Sequence, residues 1–326
     1  MRGGHLNPPI PVTVVGGYLG AGKTTLVNHL LRQANGLRIA VLVNDFGDLP
    51  IDADLIESRD GGVISIAGGC VCCSFGSDLV DGLMRLAARA PVPDCVLIET
   101  SGVALPGAVG GTVTLLPAFR LDATVVLADA ETVRARAADR YLGDTIARQL
   151  AAADLVVLNK TDLVAPGALA ALRAWLGAQA PRARLVCAQR ARVPPEVLLD
   201  AIRTGGRRPA TSLLRTGGQL RGAGHDGVTA RFESATFSLS RQVDVNALGA
   251  MLTQAKLGVL RAKGRLRDLD GAWKILQVVG ARHEVSLAAA GSDIEGLVCI
   301  GLAGVLDRDA LATLVGDGLA AAPRNA

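Results

Sequence analysis

Gly17-Tyr18-Leu19-Gly20-Ala21-Gly22-Lys23-Thr24 stands between a β-branched run, Val12-Thr13-Val14-Val15, and a helix-like segment, Thr25-Leu26-Val27-Asn28-His29-Leu30-Leu31. The octapeptide fits GxxxxGK[ST], and strand, glycine-rich loop and helix follow in the order that a phosphate-binding loop requires. Glycines let backbone N–H groups turn inward and approach phosphate oxygens; Lys23 reaches β and γ phosphates and the Thr24 hydroxyl is placed to ligate magnesium. Gly17, Gly20, Gly22, Lys23, Thr24 and Thr25 are therefore the expected triphosphate cradle.

A strand that feeds such a loop belongs to a sheet, and further apolar runs supply one. They are Arg38–Val43, Cys95–Ile98, Ala123–Leu127, Leu155–Leu158 and Arg184–Cys187, separated by helical patterns. Continuous apolar strands alternating with helices predict a doubly wound, mostly parallel α/β sheet covered on both faces. From Gly205 to about Gly227 glycine and arginine dominate, as in an exposed linker. We expect a nucleotide-binding domain over 1–204, a linker over 205–229 and a smaller α+β domain over 230–326. The last should hold a strand near Arg231–Leu239, a helix carrying Val245, Leu248 and Leu252, strands near Trp273–Val279 and Leu297–Ile300, and a final helix near Asp309–Leu319.

Two strand ends carry further chemistry. Asn159-Lys160-Thr161-Asp162 follows Leu155–Leu158, and Asp162 can accept from both nitrogen donors of guanine, which adenine does not present in that arrangement. GTP is the expected nucleotide, read by Asn159, Lys160 and Asp162. Glu99, with Thr100, Ser101 and Gly102, ends the strand Cys95–Ile98 and is equipped to hold magnesium through water and sense the γ phosphate. Asp45, in Asn44-Asp45-Phe46-Gly47-Asp48, ends another strand and is a candidate to face the same metal or the attacking water. Lys23, Glu99 and Asp45 form the expected catalytic set. Arg120 and Arg134 lie near strand ends but are weak candidates for an arginine finger, so slow hydrolysis is expected.

Gly68-Gly69-Cys70-Val71-Cys72-Cys73 crowds thiols together. The first residues lack the apolar core of a secretory signal and no apolar run approaches the roughly 18 residues that span a bilayer, so a cytoplasmic, membrane-free protein with reduced thiols is expected. Thiolates from Cys70, Cys72 and Cys73 can converge on one soft ion, zinc or cuprous copper with cobalt(II) tolerated, leaving a fourth position for water, Glu57, Asp60 or a partner's ligand. A reversible disulfide switch and simple burial, the usual fate of lone cysteines such as Cys95, Cys187 and Cys299, stay open beside it. Net charge is +4 and aromatics are 3% of the chain, so despite Arg203, Arg207, Arg208, Arg215 and Arg221 there is no stacking platform for nucleic acid, and none is expected as a partner.

The phosphate loop, Asn-Asp-Phe-Gly, Gly-Gly-Cys-Val-Cys-Cys, Glu-Thr-Ser-Gly and Asn-Lys-Thr-Asp, in this order, resemble the CobW-type metallochaperone GTPases, relatives of the UreG and HypB nickel-insertion GTPases. The resemblance spans most of 12–200, Phe119-Arg120-Leu121-Asp122 included, and extends more weakly through Leu260–Gly264 and Leu276–Gly280. It implies a P-loop GTPase with a CobW-like C-terminal domain and slow GTP hydrolysis. It also implies zinc or a similar ion, cobalt included, held by Cys70, Cys72 and Cys73. Delivery to a client metalloprotein or metal-cofactor pathway follows, with a nucleotide- or metal-dependent homodimer an open option. The competing reading is a GTP-operated redox or effector switch without metal delivery. The chain departs from the family in lacking a histidine-rich stretch, having only His5, His29, His225 and His283. Asp45 and Asp48 shorten the usual glutamates, and Ala104-Leu105-Pro106 replaces Ala-Asp-Pro.

Overall fold

The computed structural model describes residues 8–34, 36–44, 64–68, 77–200, 219–220, 231–239, 241–288 and 296–316. Their contacts fall into two compact units, 1–181 with 185–201, and 182–184 with 202–326. Asp45, Glu57, Asp60, Cys70, Cys72, Cys73 and the linker arginines lie outside the described residues.

Seven strands build the first unit: β1 (Ile10–Gly17), β2 (Ile39–Asn44), β3 (Ile64–Gly68), β4 (Cys95–Glu99), β5 (Phe119–Asp129), β6 (Leu155–Asn159) and β7 (Arg184–Cys187). They lie in the order β3-β2-β4-β1-β5-β6-β7, and the pairings from β3 across to β6 are parallel. Parallel strands need crossovers, here α1 (Lys23–Arg32), α2 (Ser77–Ala87), α3 (Pro106–Thr114), α4 (Val133–Ala137), α5 (Gly143–Ala151) and α6 (Pro166–Gln179), with α7 (Pro195–Leu198) following β7. In β1 every residue but Pro11 is buried, as befits a central strand covered on both faces. Ile10, Val12 and Val14 point to one face, where Leu79, Leu83 and Leu86 of α2 and Val109 and Val113 of α3 complete a core. The helical spacing of those three leucines is what turns α2 inward. Pro106 occupies the first turn of α3, and only a glycine at position 16 admits it: a Cβ there would stand 2.7 Å from the proline Cγ.

Register fixes where the chemistry goes. Val15 pairs with Glu99, Val43 with Glu99, Asn44 with Gly68, and Asp129 with Asn159. All these strand ends therefore share one edge of the sheet. β3 was not expected from the sequence: glycines flank it, and serine and alanine dilute its isoleucines.

The second unit carries an antiparallel sheet in the order β12-β11-β10-β13-β9-β8, from β8 (Gln219–Leu220), β9 (Phe232–Phe237), β10 (Val259–Arg267), β11 (Trp273–Val279), β12 (Arg282–Leu287) and β13 (Gly296–Leu302). Helices α8 (Val245–Leu252) and α9 (Arg308–Gly316) contribute Val245, Leu248, Leu252, Leu311 and Val315 to a core with Ala262, Leu276, Val278, Leu297 and Cys299. Asp244 caps α8 by accepting from the Ala247 N–H at 2.9 Å. Burial pushes the Cys299 thiol up to about 12, so this cysteine is an inert core residue. Two features depart from expectation. Gln219–Leu220, inside the glycine- and arginine-rich stretch, is an edge strand on β9. β10 is the central strand of its neighbourhood although Arg261, Lys263 and Arg265 alternate through it, because the opposite alternation, Ala262 and Leu266, faces the core.

Away from the loop end of the first sheet, buried Asp122 of β5 accepts from the Asp200 N–H at 2.9 Å, from Thr13 Oγ1 at 3.4 Å and from Arg120 Nη1 at 3.4 Å. Arg120 also pairs with Asp200. The guanidinium is thus committed to a structural network far along β5 from the phosphate loop. Asp122→Ala is expected to strand these donors in the interior and cost about 3 kcal/mol, read as a lower thermal midpoint. An unchanged midpoint would contradict this account.

Candidate functional site

The phosphate loop starts where β1 runs out of side chains. Gly17 has φ +127, and a Cβ on it would lie 2.3 Å from the Leu127 carbonyl oxygen of β5. Gly22, φ +102, stands at the N-terminal cap of α1, where a Cβ would meet Asn159 Nδ2 at 2.5 Å. Both positions are closed to any other residue by conformation and by space. Gly20, φ +77, is different, since a Cβ there meets nothing within 4 Å. The loop is packed from below and open above. α1 has no side-chain cap and no acidic residue in its first turn, so its leading N–H groups and dipole are arranged for an anion. Lys23 is buried at the start of α1 and Thr25 is exposed in the same turn.

Thr24 Oγ1 donates to Glu99 Oε1 at 2.7 Å. The two residues nominated for magnesium on separate strands thus meet, and Glu99 is only 2% exposed. An alcohol and a buried carboxylate side by side are hard oxygen donors of the kind magnesium takes. Thr100 and Ser101 part company. The Thr100 hydroxyl bonds the Val15 carbonyl at 3.4 Å, whereas Ser101 Oγ is buried with no hydrogen-bond partner among the described residues. That orphaned hydroxyl beside the glutamate fits a site built to take a polar ligand.

At the end of β6 the side chain of Asn159, 2% exposed, donates through Nδ2 to the Ala21 carbonyl at 2.9 Å and accepts through Oδ1 from the Ala191 N–H at 2.7 Å. It joins the phosphate loop to the loop after β7. Lys160, at φ +61, reaches Asp129 Oδ2 of β5 at 2.7 Å. Asp162 lies exposed in the short turn Thr161–Leu163, and Thr161 Oγ1 anchors that turn on the Ala188 carbonyl at 3.1 Å. Arg190 and Ala191 both have positive φ, 50 and 53, an unusual conformation for residues with side chains. Sequence reading missed Asp129 and the Ala188–Ala191 loop; neither carries a motif of its own, and only the strand end before Asp129 hinted at it.

On the other flank, Arg136 of α4 donates to the Leu19 carbonyl at 2.7 Å and lies over the Tyr18 ring, 4.7 Å from its centroid. Gly102 presses against Leu19, with a Cβ there falling 2.7 Å from the Leu19 nitrogen. Buried Gln149 of α5 fixes that segment, donating to the Gly102 carbonyl at 3.0 Å and the Ala104 carbonyl at 2.9 Å. Arg134 is exposed on the same short helix.

Two histidines are structural. Burial lowers the His29 pKa against the raising effect of its bond to the Val193 backbone, and His283 Nε2 lies 3.1 Å from Asn246 Oδ1. Among the described residues no three His, Cys, Asp or Glu side chains converge as a metal site, and no helix is long and apolar enough to cross a membrane.

Asn159→Ala would leave the Ala21 carbonyl and Ala191 N–H unpaired in the interior. The expected result is at least about tenfold weaker binding of labelled guanine nucleotide. Affinity within about twofold of the parent would rule out the brace.

A family model described as "CobW/HypB/UreG, nucleotide-binding domain" matches residues 11–187. Among curated proteins, the chain is 37% identical over 228 residues to "Zinc chaperone CobW" of Pseudomonas aeruginosa, covering 58% of this chain and 59% of that one. It is 37% identical over 165 residues to "Zinc chaperone YjiA" of Escherichia coli, covering 48% and 50%. "Zinc-regulated GTPase metalloprotein activator 1" of Schizosaccharomyces pombe is 34% identical over 175 residues, covering 51% and 42%. The chain spans about half the length of the curated relatives it matches. A solved structure, Zn(II)-bound YjiA GTPase from E. coli, aligns over 94% of this chain and 97% of its own at 23% identity with a TM-score of 0.43.

Proposed function

The chain belongs to the CobW/HypB/UreG family, and from that premise we propose that it is a GTP-hydrolysing metallochaperone that carries zinc to a client metalloprotein or metal-cofactor pathway. The observation that carries the reading is the contact between Thr24 and Glu99 at 2.7 Å, beneath a loop that is open only where phosphate would enter. Thr24, with Glu99 through water, would hold magnesium, which neutralises phosphate charge when bound. Lys23 and the leading N–H groups of α1 bind the β and γ phosphates, and Ser101 Oγ supplies a donor beside them. Asn159 acts as a brace that holds the loop and the Ala188–Ala191 turn together. Lys160, held by Asp129, packs its stem beside the base, and exposed Asp162 accepts from guanine. Asp45 keeps its place in the reading as a candidate to face the metal or the attacking water.

Zinc as cargo is supported by the printed names of the relatives and by the thiols of Cys70, Cys72 and Cys73. β3 ends at Gly68, two residues before Cys70, in register with Asn44, one residue before Asp45. Metal and nucleotide segments thus leave the same edge of the sheet. We assign the coupling of GTP to metal affinity to that shared edge. Linkage makes it reciprocal: a tenfold effect in either direction, about 1.4 kcal/mol, is the same in both. Turnover is slow, the protein works in the cytoplasm, and residues 1–204, 205–229 and 230–326 act as nucleotide-binding domain, linker and client-facing domain.

Zinc affinity, measured anaerobically by chelator competition with magnesium and either GDP or a non-hydrolysable GTP analogue, is expected to be tight in the parent and to shift with nucleotide. In the Cys70→Ser, Cys72→Ser, Cys73→Ser variant it should fall by at least about a hundredfold. If that variant bound zinc as tightly as the parent, delivery would give way to the redox or effector switch. Base reading has its own check. Asp162→Ala loses two charge-assisted hydrogen bonds and should weaken GTP by about a hundredfold while leaving the weak binding of ATP unchanged; equal losses for both nucleotides would remove Asp162 from base recognition.

A further inference from the structure

We propose that Arg136 is a built-in arginine finger, supplying positive charge in cis to the phosphoryl group as it leaves GTP. The inference rests on the GTPase reading above and deepens it. Phosphoryl transfer spreads negative charge over the transferring group, and a cation fixed beside it lowers the barrier. Among the described residues, arginines and lysines near the loop differ in what they are already paired with. Arg120 is committed to Asp122 and Asp200, well along β5 from the loop. Lys160 is neutralised by Asp129. Arg136 instead rests on a neutral carbonyl, that of Leu19, and on the face of Tyr18, with no carboxylate paired to it among the described residues.

The place of contact matters as much as the charge. Leu19 is the loop residue just before Gly20, above which a Cβ would find open space. Its peptide is wedged between Gly102, on the segment that follows Glu99, and the Arg136 guanidinium. The cation is therefore presented at the rim of the open side of the loop. Only Nη1 is spent on Leu19, which leaves further N–H donors of the planar fork for phosphate oxygens. The stack on Tyr18 holds the plane while leaving those edges clear. Tyr18, Ala21, Asp129, Thr132, Arg136 and Gln149 also line a small cavity beneath the stack, so the side chain is not locked by close packing and can shift toward a ligand.

In the step assisted, the oxygen of water bonds to the γ phosphorus, and the bond from that phosphorus to the β–γ bridging oxygen breaks. Its electron pair stays on GDP, and the proton lost by water passes to phosphate or solvent. Arg136 takes no proton; it offsets the charge that accumulates on the transferring oxygens. A cis arginine is compatible with slow turnover, since G proteins that carry one hydrolyse GTP at about 0.01 per second.

The test compares the full chain with Arg136→Ala, Arg136→Lys and Arg136→Gln. Readouts are single-turnover GTP hydrolysis, GDP affinity, and affinity for GDP with tetrafluoroaluminate, which mimics the transferring phosphoryl group. Arg136→Ala is expected to slow hydrolysis by about a hundredfold and weaken tetrafluoroaluminate binding comparably, with GDP affinity within about threefold of the parent. Arg136→Lys should recover part of the loss. Arg136→Gln, which keeps a donor to the Leu19 carbonyl without the charge, should behave as alanine does and reads the same quantity if the alanine variant fails to fold. Hydrolysis within about threefold of the parent in both uncharged variants would overturn the proposal, and so would equal losses in GDP and tetrafluoroaluminate affinity, which mark a residue that merely shapes the loop. A parent that bound no guanine nucleotide would sink the GTPase reading and this inference with it. A parent that hydrolyses GTP regardless of position 136 would sink the inference alone.

Discussion

The nucleotide site depends on one side-chain amide. Asn159 is buried between two loops that are far apart in sequence, and both ends of its amide are used, Nδ2 on Ala21 and Oδ1 on Ala191. Each bond is of ordinary strength, about 1 kcal/mol net. What makes the amide decisive is what surrounds it. Gly22 has no room for a Cβ against it, Lys160 directly after it is in the left-handed region, and Ala191 accepts an unusual backbone conformation to bring its N–H there. The strain at Arg190 and Ala191 is thus tied to a specific bond, and the phosphate and base halves of the site are set relative to each other by one residue.

Charge around the loop is sorted in the same economical manner. The carboxylates of Asp122 and Asp200 absorb Arg120 in the body of the sheet, and Asp129 absorbs Lys160 at its edge. Neutral partners, a carbonyl and an aromatic face, hold Arg136. A pocket that must attract a polyanion works best when its nearby cations are positioned by groups that do not cancel them. Gln149 does for the Gly102 segment what Asn159 does for the loop, using an uncharged amide where a charged residue would compete with the ligand.

Most of the first unit could be read from residues alone because a phosphate loop declares its own context, and buried parallel strands are long apolar runs. The six runs identified there fall inside β1, β2, β4, β5, β6 and β7, with Arg38 just ahead of its strand. The meeting of Thr24 with Glu99 was likewise implied by motif order. Strands with mixed patterns escaped. In β3 glycine, serine and alanine mask the period. In β10 and β12 charged residues occupy the positions opposite the core. Contacts that depend on which helix lies over which loop, Arg136 on Leu19 above all, have no sequence signature. Arg134 and Arg136 are indistinguishable until α4 is folded.

The sheet order has a consequence for how such proteins diversify. β3 is the outermost strand, and β2 and β4 stand between it and β1. At about 4.8 Å per strand, the segment bearing Cys70, Cys72 and Cys73 departs about 14 Å across the sheet from the phosphate strand. An edge strand has one neighbour, so its outgoing loop can be lengthened, shortened or given other ligands without disturbing the hydrogen-bond ladder that supports Lys23, Glu99 and Asn159. Cargo identity and fuel identity are written on separable parts of one scaffold, and selection can retune the first while the second stays fixed.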